Sequence, residues 1–418
     1  SVLTSEGLTS NGLHDIVPRD VLPAIRPVFS TDFQRTVLVL RPGPGVEIEM
    51  ALDTGEVRAG ARRDPVSEVE LELKAGPLGG LFDLALELLR VVPVRIATRS
   101  KAEAGFALTT GEPPRPRVAD PPAVTPATSV AEGFRHVVRG CMSHMLANEA
   151  CALAGDDPEG LHQMRVALRR LRSAFALFCD TITAPDARDL VGEMRWLAGR
   201  LAPARDWDVL HGQLFGAFAE RNAGDADVTA LGEAVALSCA AARAHAAEAI
   251  RGPRYTAFLL TLGGWLEDGR WHAAADAGQR QALDRPLGAW AAGWLEDRRR
   301  KALKAGRHVK RLDETERHRL RVRLKKLRYA VEFLRGLHPP GAVGPYLDAL
   351  ETVQAVLGDL NDISTARRMT TALAQEADRP VRDAAERFTA WLDRRLRKRL
   401  DILPDAWKAL EHAGPFWV

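Results

Sequence analysis

HQMRVALRRLR (His162–Arg172) occurs twice in this chain, returning as HRLRVRLKKLR (His318–Arg328) at an offset of 318 − 162 = 156 residues. Each copy opens with histidine, and Arg165, Arg169, Arg170 and Arg172 correspond to Arg321, Lys325, Lys326 and Arg328. The offset holds beyond these stretches: Asp157 maps to Asp313, Leu201 to Leu357 and Asp206 to Asp362. A duplicated unit of this size predicts two copies facing each other about a pseudo-two-fold axis, with a site shared between them. At about 100° per residue, His162, Arg165, Arg169 and Arg172 form a row beside an apolar stripe of Met164, Leu168, Leu171, Phe175 and Phe178. The second copy repeats this with His318, Arg321, Lys325 and Arg328 beside Leu320, Leu324, Leu327, Val331 and Leu334. Like charges at these spacings destabilise an isolated helix unless an anion or partner carboxylates neutralise them. Guanidinium groups fork onto phosphate oxygens and lysine adds a mobile point charge, so the two rows point to a polyanion such as a long inorganic phosphate chain.

A single RRLR or KKLR run is ordinarily the solvated face of an amphipathic helix; its registered repetition with histidine is what marks a site. His162 and His318 are read as hydrogen-bonding within that site in preference to catalysis or metal ligation, since no carboxylate or cysteine stands at ligand spacing beside them. Asp206 in ARDWDVL and Asp362 in LGDLNDIS are read as helix caps or as ion-pair partners that orient a basic side chain, with metal binding as the alternative.

The chain has 418 residues and a formal net charge of only +3, so local patterning and not the global field must carry any anion binding. Cys141, Cys151, Cys179 and Cys239 are dispersed without a CxxC pair, which predicts buried reduced thiols in a cytoplasmic protein. No signal-peptide pattern and no membrane-length apolar run is present. The first residue is Ser1 and not methionine, which leaves open whether residues precede it.

GEPPRPRVADPPAVTPAT (Gly111–Thr128) is too rich in proline for regular structure and is read as a linker. Before it, Asp32–Arg41, Val46–Leu52 and Val66–Lys74 read as strands with a hairpin turn at Asp53-Thr54-Gly55, followed by a helix over Leu78–Val91. After it, helical periodicity runs to the end, with helix starts at Asp157 followed by Pro158 and at Asp313 with Glu316. The fold class expected is multidomain α+β: an N-terminal antiparallel sheet over 1–110, a linker over 111–129, and an all-α region over 130–418. The last divides into two pseudo-symmetric four-helix bundles, about 130–285 and 286–418.

In the N-terminal part, Glu47, Glu49 and Asp53 share one strand face and Glu68, Glu70, Glu72 and Lys74 another. Carboxylates confined together repel unless a divalent metal or basic groups lie between them. Glu47, Glu49, Glu70 and Glu72 are the candidate ligands for Mg²⁺ or Mn²⁺, and Arg35, Arg58, Lys74 and Lys101 the candidate contacts for a triphosphate. The alternative reading is the wet face of an ordinary sheet.

Taken together, HQMRVALRRLRSAFALF, ARDWDVL, RHRLRVRLKKLRYAVEFL, LGDLNDIS and the terminal PFW make Val130–Val418 resemble a CHAD domain, the conserved-histidine α-helical domain. The resemblance implies two four-helix bundles around a basic channel that binds inorganic polyphosphate. It carries over to His162, Arg165, Arg169, Arg170, Arg172, His318, Arg321, Lys325, Lys326 and Arg328, with Tyr329 as a further lining residue. Polyphosphate is therefore the expected partner and polyphosphate granules an expected location. Nucleic acid is not expected, because the chain has three tyrosines and no aromatic interleaves the basic rows.

PVFSTDFQR, VEIEMALDTGEV, SEVELELK and RSKAEAGF, over about Val28–Leu108, resemble the later part of a CYTH or triphosphate tunnel domain, which implies metal-assisted hydrolysis of inorganic triphosphate. That family's ExExK strand should precede this region and does not. Glu70, Glu72 and Lys74 match it literally but sit on the later strand. The tunnel is accordingly expected not to close, and triphosphatase activity is expected only if the missing strand lies upstream.

Overall fold

The computed structural model describes residues 24–417 apart from Asp156, Thr183, Pro185 and Ala274, so the chain's opening residues fall outside the described part. Two compact units divide the chain, Ser1–Pro114 and Arg115–Val418.

The first unit carries three antiparallel strands in the order β1 (Ser30–Gly43), β2 (Val46–Ala59), β3 (Arg62–Ala75). Two helices follow, α1 (Gly79–Val91) and α2 (Lys101–Thr110), the latter started by a Ser100–Glu103 capping box. The sheet is open among the described residues, so no tunnel is closed. The turns fall at Gly45 and Gly60, both with left-handed φ, and not at Asp53-Thr54-Gly55. That triplet lies in mid-strand, with Asp53 between Arg35 and Glu68 and Gly55 between Phe33 and Val66. Glycine is required there for close approach: a Cβ at Gly55 would stand 2.1 Å from the Asp32 carbonyl oxygen. The turn-like composition reflects a buried aspartate beside a steric gap.

In the second unit, helices α3 (Val130–Ala147), α4 (Glu149–Ala154), α5 (Pro158–Leu177), α6 (Ala187–Asp208), α7 (Gly216–Glu220), α8 (Ala226–Arg251), α9 (Pro253–Asp268), α10 (Arg270–Ala273) and α11 (Ala277–Asp284) precede the second copy. That copy comprises α12 (Gly288–Gly306), α13 (Glu314–Leu334), α14 (Pro340–Gln375) and α15 (Arg379–His412). The 156-residue offset superposes α3, α5, α6 and α8 on α12, α13, α14 and α15. Equivalent helices also pack on each other, α5 against α13 and α8 against α15, as a pseudo-two-fold axis requires. The copies differ after α6, which passes into a π-helical turn over Val209–Phe215 where α14 runs straight.

Helix starts follow the sequence. The Asp157 side chain accepts from Glu159 N at 2.8 Å, and Asp313 and Glu316 form a capping box. All ten side chains of the two apolar stripes are buried. At roughly 2 kcal/mol for each buried large side chain, they outweigh the few tenths that each like-charged pair costs in the adjoining row. The proline-rich segment from Arg115 onward packs with the helices. Arg117 N donates to Asn148 Oδ1 and Asn148 Nδ2 donates back to Arg117 O, both at 2.8 Å, and Val124 is buried. Among the described residues no helix is long and apolar enough to cross a membrane. Three cysteines are buried as expected, but Cys179 is exposed.

Candidate anion-binding site

Helices α5 and α13 bring the two basic rows together. Arg169 Nε donates to the Tyr329 hydroxyl at 3.4 Å, and Arg170 pairs with Glu332. Three adjoining cavities follow the rows. The first, about 450 Å³, is lined by Arg165, Asp206, His318 and Arg321. The second, about 710 Å³, contains Arg321 again with His162, Arg169, Lys325 and Tyr329. The third, about 950 Å³, shares Arg169, Lys325 and Tyr329 and adds Arg172 and Lys326. The shared side chains make one continuous basic corridor.

Its inner cations are held out of water without full neutralisation. Burial, with Arg169 and Arg321 nearby, pushes Lys325 down to about 6. Burial likewise pushes Arg165 down to about 10, and Arg321 moves in the same direction. Asp206 stands 4.0 Å from Arg165, and its own pKa is raised by burial and by the charge of Asp362. Neither aspartate is a cap: Asp206 lies within α6 and Asp362 within α14. They act as counter-charges to Arg165 and Arg321, with Asp206 on the wall of the first cavity. Arg165 Nε, Arg321 Nε and His162 Nδ1 are buried without a hydrogen-bond partner in the described chain. Buried polar groups are nearly always satisfied, so these three atoms call for a partner that the described chain does not supply.

The two histidines differ. His318 is exposed and its Nδ1 lies 3.0 Å from Asn361 Oδ1. The offset places Arg205 where Asn361 stands, and burial together with Arg205 and Arg169 pushes His162 down to about 3. His162 is thus a neutral hydrogen-bonding group.

Two expected contacts are engaged elsewhere. Arg170 is buried against Glu332, with Tyr329 and Phe333 under its guanidinium, and Arg328 pairs with Glu332 and Glu351 at 2.7 Å each. Glu332 has no counterpart in the first copy, where Ala176 occupies its position, so the repeat gave no sign of it. Arg188 and Arg195 line the third cavity and were missed because they lie outside the duplicated motif.

In the sheet unit, the strand register divides the four glutamates read as metal ligands. Glu47 pairs with Arg41, and Glu49 and Glu72 flank Lys74 at 3.5 and 3.0 Å. Only Glu70 joins a cluster, with Asp53 and Glu68, whose oxygens lie within 4.8 Å of one another. Lys101 Nζ sits among them, 2.8 Å from Asp53, 2.6 Å from Glu68 and 2.8 Å from Glu70. Arg35 completes the set at 2.6 Å from both Asp53 and Glu70, and its hydrogen bond to Asp53 brings that carboxyl down to about 2. Arg58, on the central strand, pairs with Glu56. Three carboxylate donors suit a hard divalent cation, but in this arrangement an ammonium occupies the position between them.

The CHAD domain family model matches residues 136–371. The crystal structure of the CHAD domain from the plant Ricinus communis is similar over 71% of this chain and 97% of its own, at 30% identity and a TM-score of 0.62. PptA from Streptomyces chartreusis shares the fold, with a TM-score of 0.52, 15% identity and coverage of 67% of this chain and 99% of its own. A curated relative, the inorganic triphosphatase of Haemophilus influenzae, is 35% identical over 109 residues, 26% of this chain. The chain spans about a third of that relative's length, 31%. With duplicated basic helices, eight helices whose ranges correspond under the 156-residue offset and a family match over more than half its length, the chain belongs to the CHAD domain family.

Proposed function

We propose that the helical unit binds inorganic polyphosphate along the corridor between α5 and α13. The observation that carries this reading is the set of buried, unpartnered nitrogens on Arg165, Arg321 and His162, grouped with a Lys325 that no carboxylate contacts among the described residues. A bare phosphate chain offers an acceptor oxygen at every step and brings no bulky groups into the cavities. Tyr329 offers no free face for base stacking, since it is buried with Arg170 against its ring. The expected pool is cytoplasmic polyphosphate, including granules, in keeping with three buried thiols.

Titration of the full chain with long-chain polyphosphate at two ionic strengths tests the reading. Displacing counterions at about five phosphates should weaken binding by roughly 100-fold between 50 and 200 mM salt. Equal affinity at both would remove the electrostatic corridor.

The metal-dependent triphosphatase reading of the sheet unit has less support. Lys101 and Arg35 already pair with Asp53, Glu68 and Glu70, so Mg²⁺ or Mn²⁺ would have to displace an ammonium, and the sheet, open among the described residues, does not confine a substrate. Phosphate release from triphosphate by this chain with either metal is expected to stay at background. Robust turnover that is lost on Glu70→Gln would reverse that conclusion.

A further inference from the structure

The second and third cavities are images of each other under the 156-residue offset, and they have diverged in charge. Arg172 in the third corresponds to Arg328 in the second, Cys179 to Arg335, and Val191 to Leu347. At three lining positions the change alters the electrostatics: Ala176 corresponds to Glu332 and Arg195 to Glu351, which make the second cavity more acidic, while Cys179 corresponds to Arg335, which returns one cation to it. The second cavity therefore carries Glu332, Glu351 and Asp120 on its lining, the last from the proline-rich segment that borders it. These acids engage its cations, since Arg170 pairs with Glu332 and Arg328 with both glutamates. No carboxylate is among the described lining residues of the third cavity, and Arg172, Arg188, Arg195 and Lys326 have no ion-pair partner among the described residues. Much of its remaining wall is apolar, from Phe175, Ile182, Val191 and Val322. A low-dielectric wall of this kind focuses the field of the cations it carries.

We infer that a phosphate chain held in the corridor leaves it through one mouth only, the third cavity, where Arg188 and Arg195 are contacts beyond the duplicated motif. The inference rests on the polyphosphate reading above and adds a direction to it. Each phosphate moving out past Arg172, Arg195 and Arg188 meets three unpaired cations and no lining carboxylate, whereas one moving out past Glu351 and Asp120 meets two carboxylates against the single cation Arg335.

Cys179 gives the test a natural reporter, because it is exposed in the third cavity while the other three cysteines are buried. Its counterpart position at the opposite mouth is Arg335, so Arg335→Cys in a Cys179→Ser background supplies the matching thiol. Alkylation by a neutral reagent is followed for each protein with long-chain polyphosphate or with triphosphate. At ten times its dissociation constant, the long chain should slow reaction at Cys179 on the order of tenfold and leave the thiol of Arg335→Cys at its free rate. Triphosphate, too short to reach the mouth, should protect neither. A second measurement does not depend on the introduced thiol. Arg188→Ser with Arg195→Ser should lower long-chain affinity and spare triphosphate affinity, whereas Glu351→Gln should change either by less than about twofold. Equal protection at both mouths, or equal responses to the arginine and glutamate changes, would overturn the single exit and leave polyphosphate binding standing. Absence of binding by the parent chain in direct titration would overturn both.

Discussion

Replacing Arg165 and Arg321 together by methionine is expected to lower polyphosphate affinity by about 100-fold or more, since each guanidinium gives charge-assisted hydrogen bonds worth roughly 1.5–3 kcal/mol. The free protein should remain within about 1 kcal/mol of the parent in stability, because replacing buried charges by apolar groups of similar volume is often neutral. Two effects oppose each other in the empty site. Losing Arg165 removes the counter-charge 4.0 Å from Asp206, while losing both arginines relieves their repulsion with Arg169 and Lys325. Methionine is preferred to glutamate because a new carboxylate would stand beside Asp206 and Asp362, whose mutual repulsion already raises the pKa of Asp206. Isothermal titration together with denaturant unfolding reads both quantities. Unfolding of the double variant would show that these arginines hold the bundles together and are not a binding surface.

Raising the pH from 6.5 to 9 should weaken polyphosphate binding by about tenfold per unit while stabilising the free protein. Both effects come from Lys325, which burial and its neighbours Arg169 and Arg321 bring from 10.5 down to about 6, against the weaker pull of Asp362. Between those values the unfolded chain binds a proton that the folded, empty protein does not, so stability rises with pH through this window and falls as pH drops toward the folded value. A bound phosphate chain restores the ammonium, so complex formation takes up about one proton, and less so as protons become scarce. The internal phosphates of a long chain stay ionised throughout and add no slope of their own. Lys325→Met should flatten both pH profiles while leaving a clear salt dependence. A pH-independent affinity in the parent protein would mean that Lys325 is already charged in the empty corridor.

What the sequence disclosed was whatever depends on local chemistry or on repetition. The helix starts at Asp157 and Asp313, the ten stripe residues and the pairing of α5 with α13 all follow from capping residues, a 3.6-residue period and the 156-residue offset. Features decided by tertiary context were not visible. Arg170 and Lys326 occupy the same repeat position, but only Arg170 meets Glu332, a residue four turns along the partner copy's helix face with no counterpart of its own. His162 and His318 are identical in the motif but differ in setting: His162 is half-buried with Arg205 nearby, whereas His318 is exposed and hydrogen-bonded to Asn361 at the equivalent position. Asp53-Thr54-Gly55 has turn composition, but its backbone is extended: Arg35 and Lys101 neutralise the aspartate, and Phe33 needs the space beside the glycine. The acidic cluster of Asp53, Glu68 and Glu70 required the strand register, which alternation alone does not fix.

The open three-stranded sheet is also unequal at its two borders. Strand β3 carries Pro65, which removes a backbone donor, and displays Glu68, Glu70 and Glu72 along its length, so it resists the addition of another strand. Strand β1 presents Thr36-Val37-Leu38-Val39-Leu40 without proline, with Val37 and Leu38 each 48% exposed and Val39 51% exposed. Growth of this sheet is therefore one-directional. Whatever extends it, whether an additional segment of polypeptide or an unwanted neighbour during concentration, is admitted along β1 and turned away along β3.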